Sequence, residues 1–448
     1  MARIFPFRGL RYNPDKVKLA DVVTQPYDKI NPAMQDRYYA ASPYNLVRII
    51  LGKPQPGDNE RESVYTRAAA SEEHWLAEGV LAPDPEPSIY LYTQTFRAPG
   101  DSSSAIQERR GFIALGQVED YDQKVVFRHE QTLSKPKADR LNLLRATQTH
   151  FGQIFMLYTD PAAEIDATLR LATTNIAPTV EVLDEYDVLH HLWKVWEPDV
   201  VHKVQRLMAD KKLIIADGHH RYETALNYRN EMRKQAGGDL SDPYERVMMT
   251  FVNMDAPGLV ILPTHRVVFG LEDFSIFEMV AKLQADFEVE DIGPLTAIEA
   301  ALEKLRQAGK DQTALLAVTT HGGFLLRSRP EVQWSAATAL SERQRALDVV
   351  RLHKLALEGV LGLSEDDIRD QKNLRYVRDA REAVDQVQQG ANVAFLMNPA
   401  RREQVRDIAF GGEVLPQKST DFYPKLLSGL VAYSLQEAAR PVEVGGRV

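Results

Sequence analysis

The chain contains no cysteine. That excludes disulfides, thiolate metal sites and a thiol nucleophile. No apolar run approaches the ~20 residues of a membrane-spanning helix. Residues Met1 to Gly9 carry neither a long apolar core nor a cleavage-type pattern, so no signal peptide is read and the cytoplasm is the expected compartment. Positive charge is scarce: 54 Lys and Arg face 63 Asp and Glu, a formal charge of −9. Domains that bind nucleic acid usually show a basic footprint, so DNA is disfavoured as the main partner. The usual nucleotide signatures are missing as well. There is no G-x-G-x-x-G fingerprint and no Walker lysine motif, which argues against a Rossmann dehydrogenase or a P-loop enzyme. His129-Glu130 lacks a second His at the spacing a zinc protease helix needs. No internal repeat or low-complexity segment stands out.

What remains is an ordinary globular composition, 44% hydrophobic and 26% charged, over 448 residues, enough for two or three domains. The most informative stretch is Leu213-Ile-Ile-Ala-Asp-Gly-His-His-Arg-Tyr-Glu-Thr-Ala-Leu226. Leu213 to Ala216 suits a buried strand, Asp217-Gly218 is a turn signal, and a helix is expected from His219 to Gly237-Gly238. The first turn of such a helix presents unpaired N–H groups and the positive end of the dipole. Gly218 keeps side chains away from that backbone, and His219, His220 and Arg221 add donors and charge. Together they make a candidate phosphate cradle. Asp217 fits a metal ion, a substrate hydroxyl or a plain helix cap. Asp-Gly is also a common turn, and Arg221 could simply pair with Glu223. Two His and an Arg at one strand-to-helix turn favour a site.

Elsewhere, Val22 to Asp28 reads as a strand ending in a loop, with Tyr27 and Asp28 at its end, and Leu46 to Leu51 reads as another strand. Asp28 serves equally well as a turn residue before Asn31-Pro32. Helices are expected over 63–78, 161–172 and 198–210, and a long-looped hairpin over 89–96 and 109–118. Ala82 to Pro87, with three prolines, is linker-like and equally suits a loop inside one domain. His190-His191 is expected on a strand surface. Residues 246–254 and 259–269 read as adjacent antiparallel strands, with His265 and Arg266 as weaker site candidates.

One segment departs from the acidic balance. Between Lys124 and Arg145 there are six Lys or Arg against two acids. Pro136 suits the first turn of a helix to about Thr149, which places Lys135, Lys137 and Arg140 near its N-terminus. Cations there oppose the dipole unless an anion sits among them. A solvated basic helix start paired with Asp139 and Glu130 is the alternative. The tail from Gln417 to Gly429 groups Lys418, Ser419, Thr420, Asp421 and Lys425, a set that can bind an anion or form an ordinary polar loop.

Asp217-Gly218-His219-His220-Arg221 resembles the phosphate-binding motif of the ParB/sulfiredoxin-like superfamily, in the form carried by free-serine kinases. Over nearly its full length the chain resembles the domain-of-unknown-function family 1015. The residues are Pro26-Tyr27-Asp28, Ser42-Pro43-Tyr44-Asn45, the run from His129 to Arg140, the motif itself, Pro263-Thr264-His265-Arg266 and Lys418 to Lys425, in that order. These resemblances imply an α/β (mixed α+β) fold in four segments: an N-terminal α/β segment at 1–82, a ParB/sulfiredoxin-like core at 88–270, a small α/β subdomain at 271–330 and a C-terminal α/β segment at 331–448 packing back on the core. The implied activity is phosphoryl transfer on a small hydroxylated metabolite, serine above all, with Mg²⁺ and with ATP or ADP as donor. Gly218, His219, His220 and Arg221 would hold phosphates, Asp217 would bind the metal or orient the hydroxyl, and His219 and His220 are catalytic candidates beside Asp217. The implied substrate set is His129, Glu130, Thr132, Lys135, Lys137, Arg140, His265, Arg266, Lys418, Ser419 and Thr420. The catalytic carboxylate of the serine kinases has no residue-by-residue match here, and Asp28 is entered as the candidate. A phosphoserine phosphatase would use the same groups. A ParB-like nucleotide-binding regulator or DNA-binding protein is the reading from another class. A small-molecule partner (an amino acid or phosphorylated metabolite) is expected and no membrane; a homo-oligomer stays open.

Overall fold

The structure, a computed structural model, describes residues 1–99, 105–130, 135–295, 297–332, 334 and 340–440. The protein is mixed α/β and divides into two compact units. The first comprises Met1–Arg128, Thr132–Leu259 and Pro424–Val448, and the second His129–Gln131 and Val260–Tyr423. The proline-rich stretch is no linker in this fold, since Leu81–Pro83 pairs with Leu10–Tyr12 and Phe7 bridges Ser88.

The first unit is built on a sheet of β1 (Ile4–Phe5), β2 (Ile89–Phe96), β3 (Gln107–Gln117), β4 (Val126–Arg128), β5 (Ile154–Tyr158), β6 (Val180–Leu183), β7 (Leu189–Val195), β8 (Leu213–Asp217) and β9 (Arg246–Asn253). Their spatial order is β4-β8-β5-β9-β3-β2-β7-β6, with β1 on β3. β8 runs parallel to β4 and β9 parallel to β5; the other pairs are antiparallel. All of β5 is buried, which explains its uninterrupted apolar run. Ile214 and Ile215 are wholly buried. Each contributes about 1.5–3 kcal/mol by burial, so β8 is a stiff base for whatever follows it.

The second unit is antiparallel throughout its main sheet. Its strands are β10 (His265–Val268), β11 (Phe287–Gly293), β12 (Ala314–Thr319), β13 (Gly322–Ser328), β14 (Leu374–Val377) and β15 (Val393–Met397), in the order β11-β13-β12-β15-β10-β14. Helices Ile298–Ala308 and Ala380–Gln388 bury Ala301, Leu305, Ala383 and Val387 in its core.

Several sequence readings change. Leu46–Leu51 is not a strand but holds the helical turn Val47–Ile50. The Asn45 side chain accepts from Val47 N at 2.9 Å and so starts that turn, while Val47, Ile49 and Ile50 are all buried. Burial here overrides the β preference of Val and Ile. Val22–Asp28 likewise forms no strand: one bridge, Thr24 to Ser428, is followed by the 3-10 turn Tyr27–Lys29. The run 259–269 is split at Pro263. Val260–Leu262 pairs with Asp421–Tyr423, and β10 lies between β15 and β14, so neither adjoins β9. His190 is wholly buried rather than on the surface, bonded to Tyr92 and Asp184.

Glu72 yields a stability prediction. It lies on the helix Val64–Ala77, only 5% exposed, and accepts from Thr149 Oγ1 at 2.6 Å. Burial pushes its carboxyl up to about 7 against the pull of that bond. The folded state therefore binds a proton that the unfolded chain has lost above its own carboxyl pKa. Stability is present below that unfolded value and falls as pH rises towards 7. Glu72→Gln is expected to gain about 2–3 kcal/mol over wild type at pH 8 and little at pH 4. Thermal melts at the two pH values check this, and an equal difference at both would contradict it.

Candidate anion site at the strand-to-helix turn

The turn is as the residues require. β8 ends at Asp217, Gly218 has φ 91°, and the helix His219–Ala236 follows, closed by Gly237 at φ 87°. The pairing of β8 with β5 slips between Ile215 and Asp217. Such an irregularity turns a side chain out of the alternation of the strand. The first helical bond runs from Tyr222 N to Gly218 O at 2.9 Å, so the N–H groups ahead of it point out of the helix end. Tyr222 and Arg229 lock the helix to the loop after β3. The Tyr222 hydroxyl donates to Glu119 O at 2.6 Å, and Arg229 donates to Val118 O and to both Asp120 oxygens.

Asp217 is the centre of a set of cations. Its Oδ1 accepts from Gly218 N at 2.7 Å, Lys425 Nζ lies 3.0 Å from its Oδ2, and Arg221 lies 3.6 Å from its Oδ1. Partial burial pushes this carboxyl up, but Lys425, Arg221 and Lys29 overcome that and hold it well below the usual carboxylate range. With Asp28 4.0 Å from Lys29, the two acids and three cations leave a local excess of one positive charge. Arg221 also donates to Gln153 O, and its guanidinium lies against Gly218 and Gly152. A Cβ at Gly218 would stand 3.0–3.1 Å from that guanidinium.

Lys425 is placed by a buried scaffold. Gln94 Nε2 donates to Lys425 O at 2.8 Å, and Arg109, 2% exposed, donates to Pro424 O at 2.5 Å and to Gln94 Oε1. Burial lowers Arg109 to about 10, with Tyr92 and Asp217 acting the other way. Beside the turn lies a small cavity, about 60 Å³ for a water-sized sphere, lined by Tyr27, Arg140, Gly152, Arg221 and Thr224 among others. Arg140 is engaged here with protein groups: it donates to Ile50 O at 2.7 Å, pairs with Asp139 and stacks 4.1 Å from the Tyr27 ring. Asp28 is half-exposed on its 3-10 turn, 4.0 Å from Lys29 Nζ.

The sequence candidates of the second unit form a separate group. Glu130 Oε1 accepts from Thr420 N at 3.1 Å and Thr420 Oγ1 at 2.9 Å, and His129 Nε2 meets Thr420 Oγ1 at 2.7 Å. Ser419 Oγ donates to Pro416 O at 2.5 Å. Arg266, 1% exposed, donates to Lys418 O at 3.1 Å and stacks 5.1 Å from Tyr376. Burial lowers it to about 10, opposed by Tyr376 and Glu130. His265 is 2% exposed, accepts from Met397 N at 3.2 Å, and burial with the neighbouring Arg266 pushes it down to about 4. Thr132 lies outside the described residues, as do the side chains of Lys135 and Lys137.

Sequence reasoning missed Lys29, Lys425, Arg109 and Gln94 as parts of the Asp217 site. Lys29 follows Pro26-Tyr27-Asp28, and Lys425 ends the tail motif, so both lay inside stretches already singled out. Arg109 and Gln94 sit within strands and carried no local signal. Among the described residues no group of three His, Asp or Glu could hold a metal, and no helix is long and apolar enough to cross a membrane.

Comparison with known proteins adds the following. A solved conserved hypothetical protein from Pyrococcus furiosus matches with 13% identity and a TM-score of 0.34, covering 70% of this chain and 94% of its own. A free serine kinase in complex with AMP matches with 14% identity and a TM-score of 0.34, covering 66% and 83%. SbnI with a C-terminal truncation, from Staphylococcus aureus, matches with 11% identity and a TM-score of 0.35, covering 73% and 89%. No curated protein matches. TM-scores at this level carry no functional weight, and the chemistry must be argued from the residues. The family described as "Protein of unknown function (DUF1015)" matches residues 4–350, more than half of the 448, and the chain belongs to it.

Proposed function

We propose that the protein transfers a phosphoryl group between a nucleotide and a small hydroxylated metabolite, serine being the first candidate. The observation that carries this reading is the convergence of Lys425, Arg221 and Lys29 on the ionised Asp217 at the start of an 18-residue helix. A local excess of positive charge, a glycine at the close-approach position and outward N–H groups suit a phosphate. The likeness of Asp217 to Arg221 to the free-serine-kinase motif supports the same reading.

The roles follow from the chemistry. Phosphoryl transfer proceeds through a loose transition state with charge on the peripheral oxygens, so positioning and charge neutralisation do most of the work. Lys425, Arg221 and the helix end would neutralise that charge. A carboxyl held so far below its usual range is a weak base. Asp217 would therefore orient the substrate hydroxyl by accepting its hydrogen bond, and keep the cations in place. Mg²⁺ held by protein groups alone does not fit: Asp217 is a single carboxylate already facing two close cations. Nucleotide phosphates would have to supply the remaining ligands.

Phosphorus NMR tests the proposal on the purified full chain with Mg²⁺, using ATP or ADP plus L-serine, and separately O-phosphoserine alone. Nucleotide-dependent phosphoserine is the expected result. Free phosphate from phosphoserine without nucleotide would make the protein a phosphatase with the same pocket. No turnover in either arm, and no nucleotide binding by calorimetry, would overturn the reading.

A further inference from the structure

The first unit holds a second, larger cavity of about 620 Å³. Its wall includes Glu108, Asp160, Asp166, Asp255, Arg110 and Arg170. Asp166 is the informative member. It lies on the helix Glu164–Ala172 and is 7% exposed, yet its Oδ1 has no hydrogen-bond partner among the described residues. The wholly buried Tyr158 hydroxyl, which feels the charges of Asp166 and Asp160, also has none. Buried polar atoms left unmet are costly, and a native fold meets them with water or a ligand.

The neighbours narrow the choice. Asp160 is committed to the protein: its Oδ2 accepts from Ile165 N at 3.1 Å, and Lys211 lies 4.0 Å away. Asp255 Oδ2 accepts from Asp160 N at 2.9 Å, and Arg110 pairs with Glu108. Asp166 takes a hydrogen bond from Asn253, and its buried Oδ1 is left as an acceptor on the wall. Four carboxylates against two guanidiniums make that wall net negative, which favours a cationic donor. A cavity of about 620 Å³ is far larger than a bare ion and suits an organic cation. The volume lies in the range of small-molecule sites.

We propose that this cavity binds a small organic cation through a primary ammonium group, with the Asp166 carboxylate as its counter-charge and hydrogen-bond acceptor. The site is separate from the one at Asp217 and does not depend on the phosphoryl-transfer reading. Burial pushes the Asp166 carboxyl up to about 6; Arg110 and Asn253 oppose this and Asp160 adds to it. The carboxylate form is therefore complete only above that range, and cation binding should strengthen as pH rises from 5 to 8.

The test is calorimetry of the full chain with 1,4-diaminobutane. One site is expected at pH 7.5, about tenfold weaker at pH 5. Asp166→Asn should weaken binding at least about tenfold and remove the pH dependence. Asp255→Asn, at the same wall, should weaken it by a smaller factor and keep that dependence, which covers the case in which the first variant does not fold. Three outcomes overturn the proposal: no diamine binding at about 10 mM, wild-type affinity in Asp166→Asn, or displacement of the diamine by calcium.

Discussion

Asp217→Asn is expected to lower turnover at least about a hundredfold while tightening the binding of inorganic phosphate several-fold. The two halves of that result have one cause. In the wild type a carboxylate lies 3.0 Å from Lys425 and 3.6 Å from Arg221 and opposes any anion that approaches them. The amide keeps the size of the side chain and removes the charge. The local positive charge then rises by one, with only Asp28 near Lys29 still opposing it, so phosphate binds better. The substrate hydroxyl loses its anionic acceptor, so transfer slows. A purely structural Asp217 would behave differently, since loss of the fold at the turn would weaken phosphate binding as well. Phosphate calorimetry beside the turnover assay separates the cases.

The same substitution has a pH signature. The folded carboxyl sits below its unfolded value because Lys425, Arg221 and Lys29 outweigh the effect of burial. A depressed carboxyl contributes stability that is present above the unfolded pKa of about 3.9 and is lost as pH falls through the folded one. Wild type should therefore lose stability on the acid side more steeply than Asp217→Asn. Denaturant titrations at pH 7 and pH 3 read the difference, and parallel curves would remove the charge argument for Asp217.

Much of this site was legible in the sequence because its information is local. A buried apolar strand, an Asp-Gly turn and a helix free of Gly and Pro up to Gly237 fix the geometry from Leu213 to Ala236 with little help from elsewhere. The cation set was half legible. Arg221 belongs to the motif, but Lys425 reaches Asp217 only because Arg109 and Gln94 hold the backbone of Pro424 and Lys425. That scaffold is an accident of which strands are neighbours, and β2 and β3 carry no mark of it in their own residues. The errors have the same origin. Leu46–Leu51 has the residues of a strand and the burial of a helix. The run 259–269 gives no sign that its two halves pair with segments more than a hundred residues further on. His265 and Arg266 share one strand, yet one is a neutral core group and the other a buried cation beside Glu130. Side-chain type sets what a residue can do, and long-range packing decides which of two neighbours does it.

Gly218→Ala and Gly237→Ala should carry the same backbone cost and differ sharply in activity. Both glycines have positive φ, 91° and 87°, at opposite ends of the same helix. An L-residue in that region costs about 1–2 kcal/mol, which for a chain unit of this size lowers Tm by a few degrees, roughly 2–4 °C per kcal/mol. Space distinguishes them. A Cβ at Gly237 meets nothing within 4 Å, whereas one at Gly218 stands 3.0–3.1 Å from the Arg221 guanidinium. Arg221 is held there by Gln153 O and Asp217, and the new methyl group has to push it off them. Gly218→Ala is thus expected to lose at least about tenfold in phosphate affinity and turnover, a cost of about 1.4 kcal/mol or more in binding. Gly237→Ala should retain both at temperatures well below its Tm. If the two variants lose activity together, the loss is one of stability and the placement of Arg221 over Gly218 has no part in it. If Gly218→Ala keeps full phosphate affinity, the helix start is not where the anion binds.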